Sequence, residues 1–150
     1  MIKIKILIPV YNDWQSVSKL IEEINHLSIS SEFQISVIIV NDASNHDWDN
    51  EDRNFENIHS IKILNMKTNL GHTRCIATGL KYINEKEDFD YVIPMDGDGE
   101  DRPSEIKDFI NQIKNSNGKS IVGERVKRSE SLLFKICYQI HKLITLTFTG

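Results

Sequence analysis

The sequence predicts an α/β domain with a mostly parallel sheet covered by helices on both faces. Three observations support this. Apolar runs of strand length recur, most of them near-continuous rather than alternating, as in strands buried on both faces. Stretches with apolar residues at helical spacing lie between them. Elements that alternate in this way read as parallel strands joined by right-handed crossovers.

The first run, Ile2–Val10, carries Lys3 and Lys5 among Ile residues and reads as a strand. It has no small-residue cleavage site of the kind a signal peptide carries. Val17, Leu20, Ile21, Ile24 and Leu27 then form one helical stripe. The second strand is Ile35–Val40, followed by an irregular acidic stretch, Asn41–Asn57, read as a surface loop with a short helix. Ile61–Leu64 is the third strand, and Ile76, Leu80 and Ile83 mark the next helix. Tyr91–Met95 is the fourth strand; Ile106, Phe109, Ile110 and Ile113 define a third helix, and Ser120–Val122 is expected to add a fifth strand. Residues 1–123 would form the core and 124–150 a basic, amphipathic tail.

The 150 residues carry 18 Lys and Arg against 22 Asp and Glu, with 39% hydrophobic residues, which is one ordinary soluble domain. Charge is divided unevenly: residues 1–118 hold 12 basic and 20 acidic side chains, and residues 119–150 hold 6 and 2. The net negative charge of the larger part disfavours nucleic acid as a partner. Cys75 and Cys137 share no metal-type spacing with each other or with the five His, so no zinc site or disulfide framework is expected and the compartment is a reducing cytoplasm. No run reaches the roughly 18 to 20 apolar residues of a membrane span. The tail from Ser131 to Phe148 is apolar nearly all round, apart from a strip with Lys135, Gln139 and Lys142. It needs a cover. Burial against the sheet or in a second copy of the chain is one reading, and peripheral contact with a membrane beside Arg125, Lys127 and Arg128 is the other.

Ligands of open parallel sheets bind at the carboxyl ends of the strands. Short polar clusters fall there: Pro9-Val10-Tyr11-Asn12-Asp13, then Asn41-Asp42-Ala43-Ser44, then Asp96 to Asp101. Asn12 or Asp13 could simply cap a helix, and Asp42 with Ser44 could form a turn. Their shared rim makes all of them candidate binding residues. No Gly-x-Gly-x-x-Gly or phosphate-loop motif is present. The Asp96–Asp101 cluster is the strongest chemical signal, because four carboxylates in six residues repel one another unless a hard cation sits among them. An EF-hand is ruled out, since Asp101 stands at the turn glycine and Lys107 at the bidentate Glu. Gly97 and Gly99 allow close approach of a ligand. In the segment Asn69-Leu70-Gly71-His72-Thr73-Arg74, Gly71 and the first helical turn suit an anion that Arg74 could reach. His72 is read as a surface residue rather than a base, and Gly79 as either part of this motif or a helix-packing contact.

These clusters together resemble the family-2 inverting glycosyltransferases. Ile6-Leu7-Ile8-Pro9-Val10-Tyr11-Asn12 is similar to the opening strand of that family, and Val40-Asn41-Asp42-Ala43-Ser44 to its Val-Asp-Asp-Gly-Ser turn, with Asn41 in place of the first Asp. Asn69-x-Gly71 and Ala77-x-Gly79 match its next helix. Met95 to Pro103 resembles the Met-Asp-Ala-Asp-Leu-Gln-Asp-Pro-Pro stretch of the dolichol- and polyprenyl-phosphate sugar transferases, as do Gly123-Glu124-Arg125 and Arg128. The resemblance implies a GT-A, Rossmann-like fold, incomplete at its C-terminus, with the general base expected beyond Gly150. It implies that Pro9, Tyr11 and Asp42 line a base pocket and that Asp96 and Asp98 face ribose and diphosphate. Asp96, Asp98 and Glu100 would bind Mg²⁺ or Mn²⁺, and Arg125 and Arg128 would meet phosphate. The implied reaction moves a sugar from a UDP- or GDP-sugar to a polyprenyl phosphate at the cytoplasmic face of the membrane. A module that binds nucleotide sugar without transferring it is the alternative, and a phosphotransferase using Asp96 as nucleophile is a weaker third.

Overall fold

The computed structural model describes residues 1–49, 54–115, 118 and 120–123. The chain divides into two compact units, Met1–Asn117 and Gly118–Gly150. The first contains every regular element described: β1 (Ile2–Val10), α1 (Trp14–Asn25), β2 (Phe33–Asn41), β3 (Ser60–Asn65), α2 (His72–Lys86), β4 (Tyr91–Pro94) and α3 (Glu105–Ile113). The strands form one sheet in the order β3-β2-β1-β4. All three pairings are parallel: Ile2 lies opposite Phe33, Ser60 opposite Ser36, and Tyr91 opposite Ile4.

Burial follows position in the sheet. The central strands β1 and β2 are nearly all buried, which explains their unbroken apolar character, whereas the edge strand β3 is half exposed. Leu7, Ile38 and Val40 cluster with Cys75 and Ile83 of α2. Ile8 points to the opposite face, where Val17 of α1 packs near it across Gly97. Alternation along β1 thus gives each crossover helix its own face.

α1 buries Val17, Leu20, Ile21 and Ile24, as its spacing predicts. α3 buries Ile106, Ile110 and Ile113 and carries Glu105 and Asp108 in its first turn, where carboxylates suit the helix dipole. α2 departs from expectation. Its buried stripe is Cys75, Gly79 and Ile83, while Leu80 is 40% exposed. The helix sits so close that a Cβ on Gly79 would lie 2.3 Å from Leu7 Cδ1, so the smallest residue faces the sheet and Leu80 turns outward. Gly79 is a packing contact. Two further expectations fail: Ser120–Val122 is irregular with Val122 87% exposed, and no helix forms in the described part of 41–57. Asn57 instead bonds the end of α1 through Asn25. The tail from Ser131 to Phe148 lies outside the described residues.

Lys5 is a lysine in a central strand, 8% exposed. Glu87, just past α2, accounts for it by binding Lys5 Nζ at 3.0 Å and Lys62 Nζ of β3 at 2.5 Å. Hydrogen bonding to Lys62 and then to Lys5 holds the Glu87 carboxyl down at about 2, against burial that pushes the other way. A carboxyl depressed below its ordinary 4.5 stabilises the fold fully above that pH, and its contribution fades as pH falls toward 2. Glu87→Gln is therefore expected to cost about 2 kcal/mol at neutral pH and almost nothing near pH 2. Urea unfolding of both proteins across that range checks this, and a difference that does not shrink on acidification would contradict it.

Candidate functional site

The strand order changes direction between β1 and β4, because the chain first builds outward through β2 and β3 and then crosses to the other side of β1. Such a switch point leaves a crevice between the diverging crossovers. Its mouth is set by Pro9, which has no N–H to continue the ladder to β4; the last bond there runs from Met95 N–H to Leu7 C=O, at 2.9 Å. Beyond it lies an open cleft of about 200 Å³. Pro9, Val10, Tyr11, Asp13 and Val17 line one side, Asp96, Gly97 and Asp98 the other, and His72 completes it.

Two loops are braced behind this cleft. The Asn12 N–H donates to Ser44 Oγ at 2.8 Å, and the Asn45 N–H donates to Asn12 Oδ1 at 2.7 Å. Ser44 N–H in turn donates to Asn41 Oδ1 at 2.9 Å, and Asn41 Nδ2 to Asn65 Oδ1 at 2.9 Å. Asn12 sits at φ 60°, a left-handed conformation that asparagine tolerates, and this turn leaves Tyr11 half exposed at the cleft. Asn12 and Ser44, expected as ligand contacts, are not among the lining residues. They hold the loops that carry those residues.

Ala43 has φ 58°. An alanine Cβ is crowded there, at a cost of roughly 1–2 kcal/mol, only part of which glycine would return in chain entropy. Ala43→Gly is expected to stabilise the domain by up to about 1 kcal/mol, read as a rise in urea midpoint with unchanged slope.

Asp42 is 3% exposed, and its two carboxylate oxygens accept from the Leu70 and Gly71 N–H groups, both at 2.8 Å. It does not line the cleft. Its carboxylate instead ties β2 to the loop that starts α2. Gly71 caps that helix at φ 87°, a value glycine adopts without strain. Asn69 and Arg74 are exposed and do not line the cleft. Asp13 serves twice: its side chain accepts from the Ser16 N–H at 3.2 Å as the cap of α1, and it also lines the cleft. Arg125 and Arg128 lie outside the described residues.

On the β4 side, the acidic loop is partly self-satisfied. Asp96 N–H donates to Asp101 Oδ2 at 2.8 Å, and Glu100 N–H to Asp98 Oδ1 at 2.9 Å. Burial raises the Asp96 carboxyl above its ordinary value; His72 opposes this, and Asp101, Asp98 and Glu100 add to it by repulsion. A Cβ on Gly97 would stand 3.0 Å from Val17 Cγ2, so this position suits glycine where the loop meets α1. Among the described residues no group of three or more His, Cys, Asp and Glu is placed to hold a metal ion. The expected trio is thus not assembled, for Glu100 stays outside the cleft while Asp96 and Asp98 line it. One or two carboxylates are nevertheless what Mg²⁺ uses when phosphate oxygens and water supply its other ligands.

His72 is an exposed residue, as its sequence context suggests, and it also lines the cleft. Its Nε2 lies 3.5 Å from Asp96 Oδ1. Its place next to Gly71, at the start of a helix on the same rim, was the available signal.

Residues 5–144 match the Glycosyl transferase family 2 model. The chain belongs to this family. As a family 2 domain it is similar to the dodecaprenyl-phosphate galacturonate synthase of Rhizobium johnstonii, with 21% identity over 89% of the chain and 39% of that protein. It is also similar to the undecaprenyl-phosphate 4-deoxy-4-formamido-L-arabinose transferase of Proteus mirabilis, with 28% identity over 89% of the chain and 40% of that protein. The chain therefore spans about two fifths of the length of these relatives. The structure of S. aureus TarS 1-349 in complex with UDP-GlcNAc superposes with a TM-score of 0.63 at 18% identity, covering 85% of this chain and 38% of that one. That likeness confirms the GT-A, Rossmann-like architecture. No helix among the described residues is long and apolar enough to cross a membrane.

Proposed function

We propose that this family 2 domain forms the donor-binding part of a glycosyltransferase that moves a sugar from a UDP- or GDP-sugar to a polyprenyl phosphate. The observation that carries this is the cleft at the β1/β4 switch point, with an exposed aromatic ring, Tyr11, on one side and the paired carboxylates of Asp96 and Asp98 on the other. The ring offers a face for a nucleoside base. Ionised carboxylates only accept hydrogen bonds, so they suit ribose hydroxyls or a cation. Two relatives named as polyprenyl-phosphate sugar enzymes support the acceptor class. Such an acceptor is embedded in a membrane, which makes the cytoplasmic membrane face the proposed place of action.

Asp96 and Asp98 are the residues that would hold Mg²⁺ or Mn²⁺. Burial first, and then repulsion from Asp101, Asp98 and Glu100, raises the Asp96 carboxyl; a cation beside it would favour the ionised form, which supports this reading. When bound, the ion supplies positive charge against the leaving diphosphate. The chain's own residues bind and orient: Asp42 and the Asn12–Ser44 bond fix the loops, and Gly97 lets the acidic loop pack closely against Val17.

Calorimetric titration of UDP- and GDP-sugars, with Mn²⁺ and with chelator, tests the proposal. Metal-dependent binding is expected, weakened by about tenfold or more in Asp98→Asn. If no nucleotide sugar binds more tightly with metal, the reading is wrong. Formation of a polyprenyl-phosphate sugar by the chain would separate transfer from binding alone.

A further inference from the structure

Among the described residues the cleft is lined by three carboxylates, Asp13, Asp96 and Asp98, and by no Lys or Arg. Phosphate oxygens are hydrogen-bond acceptors, and ionised carboxylates cannot satisfy them. A cation held by Asp96 and Asp98 would meet some of the oxygens of a diphosphate, and the remaining oxygens take donors from the rest of the wall. Among the described residues that line it, the Tyr11 hydroxyl and the His72 imidazole are the side chains that can donate.

The position of His72 is built by the fold. Asp42 holds the Leu70 and Gly71 N–H groups, Gly71 turns at φ 87°, and α2 begins at His72 level with Asp96. The helix otherwise packs behind the sheet through Cys75, Gly79 and Ile83, so its first residue alone reaches the cleft. The imidazole is 56% exposed, and its Nε2 is 3.5 Å from Asp96 Oδ1. That separation is longer than a well-formed hydrogen bond. The ring lies beside the carboxylate without being committed to it.

We propose that His72 is a ligand-contacting residue of this cleft, donating from its imidazole N–H to a phosphate oxygen of the nucleoside diphosphate. This rests on the nucleotide-sugar reading above and adds to it a residue that meets the phosphates directly.

The test compares wild type, His72→Ala and His72→Gln for binding of UDP and GDP by calorimetry with Mg²⁺. Uridine and guanosine, followed by saturation-transfer NMR, are the phosphate-free controls. His72→Ala is expected to weaken the better diphosphate by about tenfold while leaving its nucleoside and the ligand-free thermal midpoint unchanged. His72→Gln, which keeps an N–H near the Nε2 position, should recover most of the loss. Mn²⁺ affinity without nucleotide, read from water-proton relaxation, should be the same in all three. Equal loss for nucleoside and diphosphate, undiminished diphosphate binding, failure of Gln to rescue, or weaker Mn²⁺ binding would each overturn the assignment of His72. A wild-type chain that binds neither nucleotide nor nucleoside would instead overturn the nucleotide-sugar reading, and this assignment with it.

Discussion

Asp42→Ala is expected to lower the stability of the domain by about 3 kcal/mol and to remove nucleotide binding even where the protein stays folded. The side chain is 3% exposed and its carboxylate accepts two backbone N–H groups at 2.8 Å. Hydrogen bonds to a charged group contribute about 1.5–3 kcal/mol each, and donors left without a partner add their own cost. The loop from Leu70 to Gly71 would lose its anchor to β2, and with it the start of α2 and the place of His72. For a domain of this size the loss corresponds to a fall of roughly 10 °C in thermal midpoint. Asp42→Asn keeps one acceptor and should lose about half as much. Thermal and urea unfolding, followed by nucleotide titration of the surviving folded protein, check both statements. A loss below about 1 kcal/mol for Asp42→Ala would mean that the carboxylate does not brace this loop.

Gly79→Val is expected to cost about 3 kcal/mol through overpacking. A Cβ alone would meet Leu7 Cδ1 at 2.3 Å and Val40 Cγ2 at 2.8 Å, and neither Leu7 nor Val40 has any exposed surface. Those methyls cannot turn away without displacing a core that also holds Ile38, Cys75 and Ile83. Gly79→Ala is the informative control. Alanine gains about 1 kcal/mol of helix propensity, so a small net loss is expected where an exposed helix position would show a gain. Chemical denaturation measures both variants, and stabilisation by Gly79→Ala would show that α2 does not press on the sheet at this point.

Much of the fold was legible because β1 and β2 are unbroken apolar runs, and a strand buried on both faces needs that composition. The α1 and α3 stripes were legible for a related reason, since each helix covers one face with large residues. α2 was misread at Leu80. A glycine contact leaves no mark in a search for large apolar residues, and its meaning appears only when Leu7 and Val40 are seen beneath it. Ser120–Val122 was misread because β-branched composition suits a strand but does not supply a partner.

At the cleft, the sequence alone determined which chemistry is present: an aromatic residue after the first strand, a cluster of carboxylates after the fourth, and a glycine-led helix between them. Tertiary structure decided which of these groups share a space. Asp42, Asn12 and Ser44 have the residue types of ligand contacts yet spend their oxygens on backbone N–H groups, because irregular loops must satisfy the polar groups that strands and helices satisfy internally. Glu100 has the chemistry of a metal ligand but does not line the cleft, and His72, a surface residue by its sequence, is an exposed side chain that lines it. The physical reason is range. Composition and periodicity report on neighbours a few residues apart, whereas His72 and Asp96 meet only because α2 and β4 return to the same rim of one sheet.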